Sequence, residues 1–171
     1  IDTVDIIENS SVLPDEGLAH RLGLIPIKTD LSRFNEPSKC DCKSETGCSN
    51  CKVMFVLDSG DSDTTRTILS SDLTSEDESV KATSDKIPIV QLAAGQRIKV
   101  ECYARLGRGT EHAKWNSANI SVLTETDKEN ERILTVESTG ALKPEQIILA
   151  GVDELSNRLS EFKEMINELK E

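Results

Sequence analysis

The chain has 171 residues, enough for one large domain or two small ones, and its 36% hydrophobic and 30% charged residues describe a soluble protein rich in surface. Aromatic residues make up only 3%, so the expected core is built of Leu, Ile and Val. With 31 acids against 20 bases the net charge is −11, which argues against wrapping nucleic acid through phosphate contacts and against binding anionic membranes; a local basic patch aside, the expected partner is another protein.

No apolar run approaches the ~20 residues of a membrane span. The start, "IDTVDIIENS", has neither the basic residues nor the apolar stretch of a signal peptide, and the expected location is the cytoplasm. Opening without Met and inside an apparent strand (Ile1, Val4, Ile6-Ile7), the sequence reads as a piece of a longer chain. The N-x-S sequons at Asn9 and Asn119 are read as chance.

The first strand ends in a polar turn, and "VLPDEGLAHRLGLIPI" predicts a short helix. Pro14 suits its first turn, Asp15 and Glu16 favour its positive end, and Leu18 and Leu22 share a face. Gly23 is expected as the left-handed stop, with Ile25-Pro26 running on extended. "KTDLSRFNEPSK" is then a loop leading to the cysteines. "KVMFVLDS" predicts a strand with Val53, Phe55 and Leu57 on one side, followed by a turn in "DSGDSDTTR". The acidic "SSDLTSEDESVKATSD" reads as a mobile surface loop. Two strands follow, separated by a turn at Ala94-Gly95-Gln96. In the second, Ile98, Val100 and Cys102 alternate with polar partners, making Cys102 a core thiol. "GRGTEHAKWNSA" is a Gly-rich loop holding the only Trp, and "NISVLTETDKENERILTVESTG" gives two strands around a charged turn.

The strongest periodic signal comes last. Ile148, Val152, Leu155, Leu159, Phe162, Ile166 and Leu169 alternate at spacings of four and three, the seam of a coiled-coil-like helix running from Pro144 to Lys170 for about 40 Å. Pro144 suits the first helical position, although Lys143 is a poor N-cap. The helix exceeds what a small domain needs to cover its own sheet, so a helix packed partly on a partner is favoured over one lying wholly on its own core.

Four of the five cysteines, Cys40, Cys42, Cys48 and Cys51, lie within twelve residues as C-x-C-x5-C-x2-C. Thiols in a reducing compartment are not expected to pair as disulfides. Four thiolates satisfy tetrahedral zinc in a closed site that is structural and not catalytic, and the spacers "KSETG" let the loop curl. An iron–sulfur cluster and unligated cysteines are the alternatives. Elsewhere the chemistry is thin: His20 and His112 are read as structural. There is no G-x-S-x-G, H-E-x-x-H or phosphate-binding loop, and "DSGDSD" lacks the terminal Glu of a calcium loop. No enzymatic reading survives.

"IDTVDIIENSS", "AHRLGLIPIKTD", the cysteine knuckle before "KVMFVLD", "IPIVQLAAGQRIKVECYARLGRGTEHAKW" and "ILTVESTGALKPEQIIL" occur in this order here, and in that the chain resembles the D-type subunit family of archaeal RNA polymerase. That family is related to the third-largest subunit of eukaryotic RNA polymerase II and to the bacterial α subunit. The resemblance covers nearly the whole chain, and "AHRLGLIPI" and "ARLGRGTEHAKW" are its specific motifs. It implies an α+β fold, with a discontinuous α-subunit-like dimerisation domain (residues 1–27 and 120–171, with the long C-terminal helix and a missing N-terminal part). An inserted, mainly β domain (28–119) carries the knuckle. It further implies a non-catalytic subunit that pairs with the small L subunit through the helix seam just named. The pair would form the platform on which the large catalytic subunits assemble, with subunits N and P nearby. Arg108, His112, Lys114 and Trp115 are the expected contact loop for other subunits. The chain departs from the family in lacking a leading strand pair and helix. It also lacks the ferredoxin-like insertion, so a family iron–sulfur cluster has no residues here. Five residues separate its middle cysteines, where the eukaryotic relative has a shorter gap. From another class, a free-standing zinc adaptor that self-associates through its C-terminal helix is the alternative.

Overall fold

A computed structural model describes residues 1–44 and 46–169. It is mixed α+β, with eight strands and two α-helices among the described residues, and it divides into two compact units, Ile1–Asn116 and Ser117–Glu171.

The first unit is built on a four-stranded antiparallel sheet. Its strands are β1 (Thr3–Asn9), β2 (Lys52–Asp58), β4 (Thr74–Ser75) and β6 (Ile98–Arg105), in the order β1-β6-β2-β4. A separate antiparallel pair joins β3 (Arg66–Leu69) to β5 (Pro88–Leu92). Strict alternation sets the inner face: Val53, Phe55 and Leu57 stand opposite Ala104, Cys102 and Val100, and all six are buried. Helix α1 (Asp15–Gly23) contributes Leu18 and Leu22, and β3 and β5 add Ile68, Ile89, Val90 and Leu92 to the same cluster. Cys102 lies fully inside it, as the alternation requires, and burial pushes its thiol up to about 12. Residues 1–27 share this sheet and core with residues 52–105.

Two local expectations change. Gly23 does not adopt the left-handed conformation. The helix runs directly into Leu24 (φ −86°), whose N–H bonds the carbonyls of His20 and Arg21, so the chain leaves α1 without a positive φ. The acidic segment after β3 is not wholly a surface loop. It forms a short 3-10 turn at Ser70–Asp72 and the strand β4, and then sends Val80 and Ala82 into the core. An isolated bridge ties Ile27 to Ala82. The two strands expected around Ala94-Gly95-Gln96 are present as β5 and β6, and they belong to different sheets.

The second unit is a hairpin of β7 (Ala118–Glu125) and β8 (Arg132–Ser138), followed by α2 (Pro144–Glu168). The hairpin register places Leu123 against Leu134 and Thr124 against Ile133, and Asn130 takes the positive φ of the turn. Lys143 is the N-cap and supplies no side-chain cap; Gln146 Oε1 instead accepts the Lys143 N–H at 3.0 Å. The expected extension to Lys170 lies outside the described residues. None of the described residues from 117 onward is buried.

Candidate metal centre and contact surfaces

The cysteine knuckle grows out of the start of β2. Cys51 directly precedes Lys52, and the Cys48 carbonyl accepts the N–H groups of both Cys51 and Lys52 at 2.9 Å, closing a tight turn. The Cys48 N–H donates to Cys51 Sγ at 3.2 Å. Gly47 enters this turn at φ +80°; a Cβ there would sit 3.0 Å from the Lys52 Cβ and 3.4 Å from Cys51 Sγ, so the position suits glycine on two counts. On the other arm the Lys43 N–H bonds the Cys40 carbonyl at 3.3 Å, with Lys43 itself at φ 46°. The base of the loop is clamped by the Asn35 N–H on the Asn50 carbonyl at 2.8 Å.

These turns bring the four sulfurs together. Cys40–Cys48, Cys42–Cys51 and Cys48–Cys51 Sγ pairs are 3.7, 3.8 and 3.9 Å apart, and all four lie within 4.8 Å of one another. Bonds of about 2.3 Å to a tetrahedral ion space thiolates at ~3.8 Å, whereas a disulfide needs ~2.05 Å. The spacing therefore fits a single tetrahedral ion, tighter than the spread of thiolates around a multi-iron cage. Cys40 and Cys51 are buried, Cys48 is half-buried and Cys42 exposed. Cys40 and Cys51 resist ionising, whereas Cys42 ionises more readily. At Cys40 the Cys42 N–H favours the thiolate, but contact with the other thiols and burial prevail and push it up to about 12. Burial likewise raises Cys51, while the Ser44 N–H lowers Cys42. Four thiols at this spacing form a donor set of the kind that can hold a metal ion.

Arg108, His112, Lys114 and Trp115 fall on one loop, but it is less open than the sequence suggested. Only His112 is exposed; the other three are half-buried. Trp115 folds back onto Gly107, where an added Cβ would meet the indole at 2.4 Å, and Arg105 stacks on the ring at 4.3 Å. Arg108 forks onto Glu36 at 2.8 and 2.9 Å, linking this loop to the segment that leads into the knuckle. Lys114 Nζ lies 3.6 Å from Asp2, and the Lys114 backbone N–H bonds His112 Nδ1 at 3.0 Å.

The α2 seam is laid bare. Val152, Leu155 and Leu159 are each 60% exposed and Phe162 58%; Ile148, Ile166 and Leu169 are exposed too, as are Leu149 and Met165 beside them. The hairpin adds exposed Ile120, Val122, Leu123, Ile133 and Leu134, which the sequence alone does not single out. Their alternation looks like an ordinary half-buried sheet, and nothing local reveals that neither face is covered.

The family model "RNA polymerase Rpb3/RpoA insert domain" matches residues 4–140. Proteins named DNA-directed RNA polymerase subunit Rpo3 are similar to this chain. That of Methanosphaera stadtmanae is 46% identical over 119 residues, 68% of this chain and 43% of the relative. That of Archaeoglobus fulgidus is 43% identical over 122 residues, 71% of this chain and 45% of the relative. That of Methanocaldococcus jannaschii is 37% identical over 171 residues, all of this chain and 78% of the relative. The match thus spans less than half the length of the first two. Rpo3 is another name for the D-type subunit. Family match and relatives agree, and the chain belongs to the Rpb3/RpoA family of RNA polymerase subunits.

Proposed function

We propose that the chain is part of a non-catalytic assembly subunit of an archaeal DNA-directed RNA polymerase. It pairs with the small L subunit, and the pair carries the large catalytic subunits, with N and P beside it, in cytoplasmic transcription. The observation that carries this reading is the uncovered seam of α2, where a regular apolar stripe of three heptads stands in water. Monomeric proteins rarely expose a contiguous patch of that size, and a stripe spaced by fours and threes is complementary to another helix. The pairing region comprises residues 1–27 with 120–171, and 28–119 is the inserted region; hydrogen bonding of β1 to β6 joins the two through one sheet. Cys40, Cys42, Cys48 and Cys51 hold zinc as a structural staple, supplying rigidity to a loop too polar to fold on a core of its own. Arg108, His112, Lys114 and Trp115 belong to a surface met by other subunits. The test is a pull-down with an archaeal L-type subunit. Leu159→Asp with Phe162→Asp should abolish pairing by placing charges in the seam, and retained pairing would contradict the reading.

A further inference from the structure

The knuckle is uneven in what it shows to water. Cys51 is 2% exposed and Cys40 6%, Cys48 is half-buried, and Cys42 is exposed. The cover over Cys51 is built into the turn. Its sulfur takes the Cys48 N–H at 3.2 Å, and the backbone of Gly47 passes so close that a Cβ there would come within 3.4 Å of it. Cys42 sits on the other arm between exposed Asp41 and Lys43, yet Cys51 Sγ is only 3.8 Å away. The one sulfur of the four that is open to solvent therefore stands against the most deeply buried one.

That arrangement suits a two-step oxidation. A hydroperoxide arriving from solvent meets Cys42 first, because oxidation of thiolates follows exposure. The Cys42 sulfur attacks the peroxide: an S–O bond forms, the O–O bond breaks, and the far oxygen leaves as hydroxide or alkoxide. The Cys51 thiolate then attacks the oxidised sulfur: the S–S bond forms and hydroxide leaves as the S–O bond breaks. The two sulfurs together lose two electrons, which reduce the peroxide oxygens, and protons from water complete the products. The sulfurs need to close only from 3.8 Å to about 2.05 Å. Cys48 and Cys51 are a competing pair at 3.9 Å, but neither is exposed. After the step Cys40 and Cys48 remain, 3.7 Å apart, and two thiolates supply only half the ligands of a tetrahedral ion.

We propose that Cys42 is a site of reversible oxidation by hydroperoxides, that Cys51 is its resolving thiol, and that the Cys42–Cys51 disulfide unloads the metal from the knuckle. The bond ties the two arms of the loop to each other, so the oxidised knuckle keeps a covalent closure and reduction restores the four thiols. This rests on the four-thiolate zinc reading above.

The experiment treats the zinc-loaded full-length subunit with hydrogen peroxide, follows released zinc with a chromogenic chelator, and maps the cysteines by alkylation and mass spectrometry. The expected result is one zinc released per disulfide, a linked peptide joining Cys42 to Cys51, free Cys40 and Cys48, and zinc binding regained after reduction with a dithiol. In a parallel labelling of the unoxidised protein with limiting iodoacetamide, Cys42 should be modified roughly tenfold more than Cys40, Cys51 or the core thiol Cys102. Zinc-loaded protein that keeps its metal under peroxide, forms a different disulfide, or is labelled first at another cysteine overturns the proposal and leaves the zinc staple standing. A subunit that binds no zinc overturns both.

Discussion

Cys51 serves two structures at once. Its sulfur closes the knuckle, and its backbone hands the chain to β2, where Lys52 stacks over Tyr103 at 4.3 Å. Replacing it should therefore cost both metal and order: Cys51→Ser is expected to drop bound zinc from one per chain to none, with a lower thermal midpoint, by elemental analysis and calorimetry. Full zinc content in the variant would contradict the four-thiolate site. Cys102 should behave oppositely. Buried and held protonated, it should stay unmodified by a thiol reagent in the chelated native protein and react only on unfolding. A further residue-scale expectation concerns Asp58, whose carboxylate takes the Arg97 guanidinium at 3.0 and 3.1 Å and the Gly60 N–H at 3.0 Å. Arg97 above all holds it below its ordinary 3.8. A depressed folded pKa contributes stability that is present above the ordinary value and lost as pH falls through the folded one. Arg97→Gln should then be destabilising near neutrality, with the difference from wild type shrinking below about pH 4 in acid titrations. A difference that grows on acidification would be the wrong sign.

The elements divide by how they are buried, and substitutions should follow that division. Phe55 on β2 is 1% exposed, so Phe55→Ala is expected to cost ~3–5 kcal/mol in denaturant unfolding of the first unit. Leu159→Asp on exposed α2 should change the isolated chain's stability by less than about 0.5 kcal/mol, while removing partner binding. A large stability loss at Leu159 would mean the seam is covered within the chain. The same division explains what could be read in advance. Strands β2 and β6 and helix α2 carry a period of two or 3.6 over seven or more residues, and their faces follow from spacing. Strands β3 and β4 are four and two residues long, too short for a period to emerge. The segment between β4 and β5 is mostly acidic and polar, and only isolated Val80 and Ala82 plug the core, a long-range fact invisible in local composition. At the knuckle the spacing named all four cysteines, because thiolate chemistry is local. That His20 of α1 and His112 of a distant loop line one cleft was not legible, because it depends on how the two meet in the fold.

At the scale of the whole molecule, the two units are unequal in kind. The first has a contiguous core drawn from α1 and five strands, with a candidate metal clamp at its edge. The second, a hairpin and a 25-residue helix, buries none of its described residues. A unit of that sort has hydrophobic surface to satisfy and nothing in its own composition to satisfy it with, so association is the physical expectation. Its acidic balance opposes the dense phosphate contacts that wrapping nucleic acid needs. The most direct measurement is native mass spectrometry of this chain co-expressed with an archaeal L-type subunit. A one-to-one heterodimer carrying a single zinc ion is the expected result; a homodimer or monomer that ignores the L-type subunit would contradict the account.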